Sequence, residues 1–322
     1  MKMTYRKAAF IGLWAGVIFA SCSSDEDMIT GKTLPQGKYP VAMTVSVESP
    51  IARSSVDGTW TNGEKVTVQA ITKTGDAYNW NDAASYPYEI NNDIPAASTK
   101  KETHYWQRSD ETKLMRAWHC ADGSTSNTLP DSWSVAADQN ETGNGYAESD
   151  LLFTAPVEVK FGSTADLIFY HQTARIIVNI KKTEGIDSAD QIQSVKIGDN
   201  NLALSGTYTA PSGTGVTTET WLPGPMDKTI TPFKLSQPTD PSKYIASYTA
   251  LVIPQNMDGK RLIAIDTELG THYYTPKEGA AELEAGKVHT YNITIDSKEV
   301  TIEIPGSIDW GEGESGSGSI EL

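Results

Sequence analysis

From residue 40 onward the chain alternates. Val41-Ala42-Met43-Thr44-Val45-Ser46-Val47 places an apolar side chain at every second position, the two-residue period of a strand with one buried face. Val66 and Val68 repeat the pattern around Thr67 and Gln69. Segments rich in β-branched residues follow at Val157–Phe161, Leu167–Tyr170, Arg175–Ile180, Ser194–Ile197, Tyr248–Ile253, Leu262–Asp266, His289–Ile295 and Val300–Ile304. Turn formers stand between the strand segments: Asp57-Gly58, Asn62-Gly63, Gly198-Asp199-Asn200 and Asp258-Gly259. No amphipathic helical stretch exceeds about two turns. The pattern predicts an all-β chain of two antiparallel β-sandwiches in tandem.

One region breaks the rhythm. Asp76–Gly145 is polar and loop-like yet holds Tyr78, Trp80, Tyr86, Tyr88, Tyr105, Trp106, Trp118 and Trp133. It reads as a decorated face or as long loops of the first domain. Alternation resumes near Leu151. A division near residue 162 gives an N-terminal domain over 40–162 and a C-terminal domain over 163–322.

The residues before the first strand carry a different signal. Lys2, Arg6 and Lys7 precede an apolar or small run, Ala8–Ser21, which leads into Cys22. That run is too short to cross a hydrocarbon core, which needs about 20 helical residues. A basic start, a short apolar stretch and small residues before a cut describe a secretory signal over residues 1–21. Phe19-Ala20-Ser21-Cys22 resembles a bacterial lipobox, with Phe19 where Leu is usual. The resemblance implies acylation of Cys22, and several chains at ~0.8 kcal/mol per buried CH₂ would anchor the protein to a membrane without a spanning helix. Ser23-Ser24-Asp25-Glu26-Asp27 follows at once. It resembles the acidic export signal that sends lipoproteins of Bacteroides-type bacteria to the outer face of the outer membrane; its plainer reading is a solvated acidic tether. Met28–Tyr39, with Gly31, Pro35 and Gly37, completes a linker over 22–39.

Composition narrows the classes. The chain of 322 residues is 38% apolar, too apolar for a disordered segment, and its net charge of −15 argues against nucleic acid as a partner. Two cysteines exclude a disulfide framework and a multi-cysteine zinc site. The sequence implies no metal and no cofactor. Gly311-Glu312-Gly313-Glu314-Ser315-Gly316 satisfies a dinucleotide-binding spacing, but only six residues follow and two acids sit where phosphates would lie. The five histidines show no ligand spacing. His171 reads as a hydrogen-bonded core or interdomain residue, and Cys120 as a buried thiol. No catalytic residues are assigned.

Several segments resemble the fimbrillin-like family, and they do so in order. Arg53-Ser54-Ser55-Val56-Asp57-Gly58-Thr59-Trp60-Thr61-Asn62-Gly63-Glu64 looks like its opening, with Glu64 where Asp is usual. Asp150-Leu151-Leu152-Phe153-Thr154-Ala155 and Leu167–Ile176, which contains His171 and Ala174, match two central landmarks. Ile253-Pro254-Gln255, Ala285–Ile293 and Ile308-Asp309-Trp310 match those near the end. The resemblance implies two transthyretin-like domains and a surface lipoprotein or pilin of the outer membrane or fimbrium. It also implies an Arg-directed cut at Arg53, removal of the first strand, and strand exchange with related pilin subunits. A host or bacterial surface molecule is a further implied partner. The aromatic region supports a second reading, a glycan-binding surface module, because exposed Trp and Tyr rings stack on sugar faces.

Overall fold

The computed structural model describes residues 31–48, 60–73, 79–97, 99–121, 123, 127–140, 145–209, 220–268, 270–295, 300–304, 307–309 and 319–320. The N-terminal half contributes strands β1 (Ala42–Val47), β2 (Lys65–Thr72), β3 (Ala84–Asn91), β4 (Ile94–Ala97), β5 (Thr112–Cys120), β6 (Ser132–Ser134), β7 (Leu151–Thr154), β8 (Val157–Lys160) and β9 (Thr164–His171). Eight of these form one sheet in the order β1-β9-β7-β5-β2-β3-β4, with β8 on the far part of β5. The sheet curls until its two ends meet: the Val45 N–H donates to the carbonyl of Asp93, immediately before β4, at 3.1 Å. Val66 and Val68 of β2, Met115 and Ala117 of β5, and Leu167 and Phe169 of β9 fill its interior.

The C-terminal half follows with β10 (Ala174–Lys181), β11 (Ile192–Ala203), β12 (Ser205–Thr209), β13 (Thr220–Pro223), β14 (Met226–Ile230), β15 (Phe233–Lys234), β16 (Tyr244–Val252) and β17 (Gln255–Asn256). It continues with β18 (Ile263–Thr267), β19 (Gly270–Tyr274), β20 (Glu282–Leu283), β21 (Lys287–Ile295), β22 (Val300–Glu303), β23 (Ser307–Asp309) and β24 (Ser319–Ile320). One sheet runs β15-β16-β10-β21-β22-β24 with β23 on β21, and a second runs β14-β11-β18-β19. Ile176, Val178 and Ile180 of β10 share a core with Val195 and Ile197 of β11 and Ile263 and Ile265 of β18.

The all-β expectation holds, with one departure in strand direction. β1–β9 and β10–β21 pair in parallel, against the antiparallel expectation. Both pairs join strands far apart in sequence, so no hairpin turn fixes their direction.

The two cores share a wall. Leu152 of β7 faces the first core, while Leu151 and Phe153 face the second together with Trp118 and Cys120 of β5. This explains why Leu151-Leu152-Phe153 is an apolar run rather than an alternation: both faces of the strand are covered. The expected division at 162 falls within the first sheet, between β8 and β9, and the chain changes sheet at Gln172-Thr173. Both crossing residues are buried, and their backbone is tied on either side: Gln172 N–H donates to the Leu151 carbonyl at 2.8 Å and Gly286 N–H to that of Thr173 at 3.0 Å.

A strap from the first half adds a second connection. β6 joins β12 and β13 in a small sheet, pairing Ser134 with Ser205 and Trp133 with Gly206. Gly206 lets the strands approach closely: a Cβ there would lie 3.0 Å from both the Ile253 methyl and the Leu222 carbonyl, so a larger residue would press its neighbours back by a few tenths of an ångström. Trp133 is buried in the C-terminal core and its indole N–H donates to the Ser149 carbonyl at 2.9 Å. Further along, Gln139 acts as a short piece of strand. Its amide nitrogen donates to the Leu251 carbonyl at 2.7 Å, and its amide oxygen accepts the Leu251 N–H at 2.8 Å.

Candidate functional site

Strand β1 is held differently on its two edges. Its parallel ladder to β9 runs from Ala42 opposite Thr164 to Val47 opposite Phe169, and Thr44 Oγ1 donates to Asp166 Oδ1 at 2.6 Å. On the opposite edge the contacts are sparse among the described residues. Val41 N–H donates to the His104 carbonyl at 2.9 Å, Val45 N–H donates to that of Asp93, and Pro40 bridges Tyr105. Asn92 and Asp93 adopt positive φ (51° and 60°), the pattern of a two-residue type I′ hairpin joining β3 to β4. Asn62 Oδ1 accepts the Asn92 N–H at 2.9 Å, so the loop before β2 steadies the turn whose carbonyl meets β1.

The side chains of β1, and of Val41 immediately before it, alternate as the sequence predicts. Val41, Met43, Val45 and Val47 are 3–7% exposed and pack into the first core, while Ala42, Thr44 and Ser46 face solvent. At ~1.5–3 kcal/mol per buried side chain, the four contribute roughly 6–12 kcal/mol. A typical domain's whole stability is ~5–15 kcal/mol. Withdrawing β1 would therefore expose the apolar residues it covers and the edge of β9.

The chain leaves β1 and returns at one place. Glu48 N–H donates to the Phe169 carbonyl at 2.8 Å, and the Trp60 ring stands edge-on to the Phe169 ring at 5.0 Å. Arg53 belongs to the intervening span and lies outside the described residues, as do Cys22, Asp25, Glu26, Asp27 and the signal segment.

Two sequence landmarks meet where β7 pairs with β9. Asp150, just before β7, and His171, at the end of β9, form a buried pair with Nδ1 and Oδ1 3.0 Å apart. Burial and the Asp309 carboxylate push the Glu48 carboxyl up, and His171 opposes them. The foot of β1, the Asp150–His171 pair and β23 therefore share one electrostatic neighbourhood. His171 is a core residue at the junction of the halves, as its strand position suggests. A third landmark residue, Gln255, holds Ala203 from both sides: its oxygen accepts the Ala203 N–H at 2.9 Å and its nitrogen donates to the Ala203 carbonyl at 3.1 Å.

Two strands late in the chain lie along the C-terminal sheet. Val300–Glu303 pairs antiparallel with β21, and Ser319–Ile320 with β22.

The described aromatic residues of the region divide between the cores and the surface. Tyr88 and Trp106 join the first core, and Trp118 and Trp133 the second. Trp80 covers Arg116, whose guanidinium carbon lies 3.9 Å from the ring centroid. Cys120 is a buried thiol, and among the described residues no helix is long and apolar enough to cross a membrane. Gln139 and the Asp93 turn were not anticipated as contacts. The Asn92-Asp93 pair between strand-like segments is a legible turn signal, whereas nothing in the sequence around Gln139 marks its partner.

A family model described as fimbrillin-like matches residues 52–310. The chain belongs to the fimbrillin-like family. Its fold is similar to the crystal structure of a candidate cell adhesion protein from Bacteroides uniformis ATCC 8492, at TM-score 0.60 and 19% identity, over 84% of this chain and 99% of that one. A candidate cell adhesion protein from Bacteroides ovatus ATCC 8483 is similar at TM-score 0.60 and 17% identity, over 85% of this chain and 99% of that one. No curated protein matches this fimbrillin-like chain by sequence.

Proposed function

We propose that the chain is a lipid-anchored fimbrial subunit or adhesin of the cell surface, without catalysis, that joins related subunits by β-strand exchange. In this reading residues 1–21 are a signal peptide and Cys22 carries the lipid. Asp25, Glu26 and Asp27 direct export to the outer face of the outer membrane, and residues 22–39 form the tether. Two transthyretin-like domains follow, dividing at the Gln172-Thr173 crossing. Membership of the fimbrillin-like family supports the assignment. The observation that carries the exchange mechanism is the seat of β1: four buried side chains on a strand with one full ladder and one sparse edge.

Arg53 stands between that strand and the rest of the fold, so a cut there leaves β1 held by non-covalent contacts alone. Loss of β1 opens the groove for a strand from a related subunit, as in donor-strand complementation. Val300–Ile304 and Ile320-Glu321-Leu322 are the candidate donors, and each must leave its place along β21 or β22 to serve. The test is the N-terminus of the protein recovered from the surface of cells. Wild-type protein is expected to begin at Ser54, and Arg53→Ala protein at Cys22. Wild-type protein beginning uniformly at Cys22 would remove the exchange mechanism.

A further inference from the structure

A cleft of about 1130 Å³ opens in the N-terminal half, between residues 33–37, the outer ends of β2 and β3, and the loop 100–107. Its wall at residues 33–37 lies on the segment that a cut at Arg53 would remove, so the cleft belongs to the uncut chain. Tyr86 and Tyr105, both partly exposed, form its aromatic walls, and the buried Trp106 forms part of its lining. Gln36, Thr103 and Gln107 add neutral hydrogen-bonding groups.

The charges of the cleft are unequal. Lys113 is already committed, with Nζ 2.5 Å from Glu111 Oε1 and 3.0 Å from Thr72 Oγ1. Asp82 is exposed and accepts a hydrogen bond from the Asn79 side chain at 2.8 Å, so its carboxylate offsets one of the two lysines at the rim. His104 is buried and neutral, with Nε2 3.0 Å from the Val68 carbonyl oxygen. Lys100 and Lys101 stand exposed at the rim. A cationic rim on a chain of net charge −15 is a local reversal of sign.

We propose that this cleft binds a carboxylated oligosaccharide, with Tyr86 and Tyr105 against the sugar faces, neutral side chains on the hydroxyls, and Lys100 and Lys101 on the carboxylate. Partly exposed rings present an apolar face with a polar tip, which suits the two-sided surface of a sugar. Exposed ammonium groups beside a concave, mixed-polarity surface select an anion at its edge.

The test is a titration of the full chain with sialate- and uronate-bearing oligosaccharides, each beside its methyl-esterified, uncharged form. At least one carboxylated sugar is expected to bind saturably, and its ester roughly tenfold more weakly. Lys100→Glu with Lys101→Glu should weaken the acid form about tenfold and leave the ester unchanged, which corresponds to ~1.4 kcal/mol. Tyr105→Ala should weaken both forms. Lys228→Glu with Lys243→Glu, distant in sequence and similarly exposed, should change neither. The proposal is overturned if no carboxylated sugar binds saturably, if acid and ester bind alike, or if the distant lysine pair has the same effect as the rim pair.

Discussion

Replacing Gln139 by Ala should unfasten the strap that joins the two halves. Strand β15 covers β16 only as far as Phe233 opposite Thr249, and two residues further on the Gln139 amide takes over the edge at Leu251. Gln139 and Leu251 are both fully buried. Truncation to Ala therefore strands one N–H and one carbonyl away from water, at ~1–3 kcal/mol for each unpaired group. Partial relief by an entering water gives an expected loss of about 2–4 kcal/mol, a large share of a typical domain's stability. The backbone bond from Gln139 N–H to the Thr231 carbonyl, 2.9 Å, does not depend on the side chain and should survive. Equilibrium urea unfolding measures the loss, and amide exchange at Leu251 locates it. Gln139→Glu separates hydrogen bonding from packing: it keeps an acceptor for the Leu251 N–H but sets a carboxylate against the Leu251 carbonyl. It should therefore be more destabilising at pH 7 than at pH 4. A loss below ~0.5 kcal/mol for the Ala variant, with exchange at Leu251 unchanged, would refute the strap.

Stability should also fall with acid between about pH 6.5 and pH 4. Burial lowers His104 and His289 to about 4, so the unfolded chain takes up these protons first; the contribution is complete above 6.5 and is lost as pH falls, by up to roughly 3 kcal/mol per residue. Urea midpoints across that range test this, and His289→Gln should remove about half of the slope. Cys22→Ala should release the protein from the membrane fraction, and persistence there after a high-salt wash would contradict lipid anchoring. Replacing Asp25, Glu26 and Asp27 by Ala should protect the protein from protease added to intact cells, whereas equal digestion of both forms would reduce the acidic run to a tether.

Sequence pattern was most informative where one face of a strand is wet. The alternation of Val41, Met43, Val45 and Val47 located β1 and its buried face, because the period of a strand edge is visible in three or four residues. It was least informative where strands are covered twice. Leu151-Leu152-Phe153 reads as a strand, but which core each residue serves follows from the shared wall between the halves. Trp133 belongs to a segment that reads as loop, and it is buried because a distant strand, β12, pairs with its short neighbours. Pairing between residues so far apart leaves no local mark, and the parallel direction of β1 and β9 is hidden for the same reason. The landmarks Asp150 and His171 were legible singly, and their contact was not. Among the described aromatic residues of 76–145, Tyr88, Trp106, Trp118 and Trp133 are core components, while Tyr86 and Tyr105 line the cleft.

The central claim is that β1 is an exchangeable strand, and refolding state after trimming tests it most directly. Purified protein would be cut after Arg53, separated from residues 22–53, and run unheated on SDS gels after concentration. The account predicts ladders that resist SDS, because each opened groove regains roughly 6–12 kcal/mol of apolar burial from a neighbour's strand. Excess synthetic peptide spanning Val41–Val47 should occupy the groove and abolish the ladder, and deletion of residues 311–322 should abolish it if the terminal segment is the donor. Trimmed protein that stays folded and monomeric at high concentration, with or without the peptide, would contradict the account.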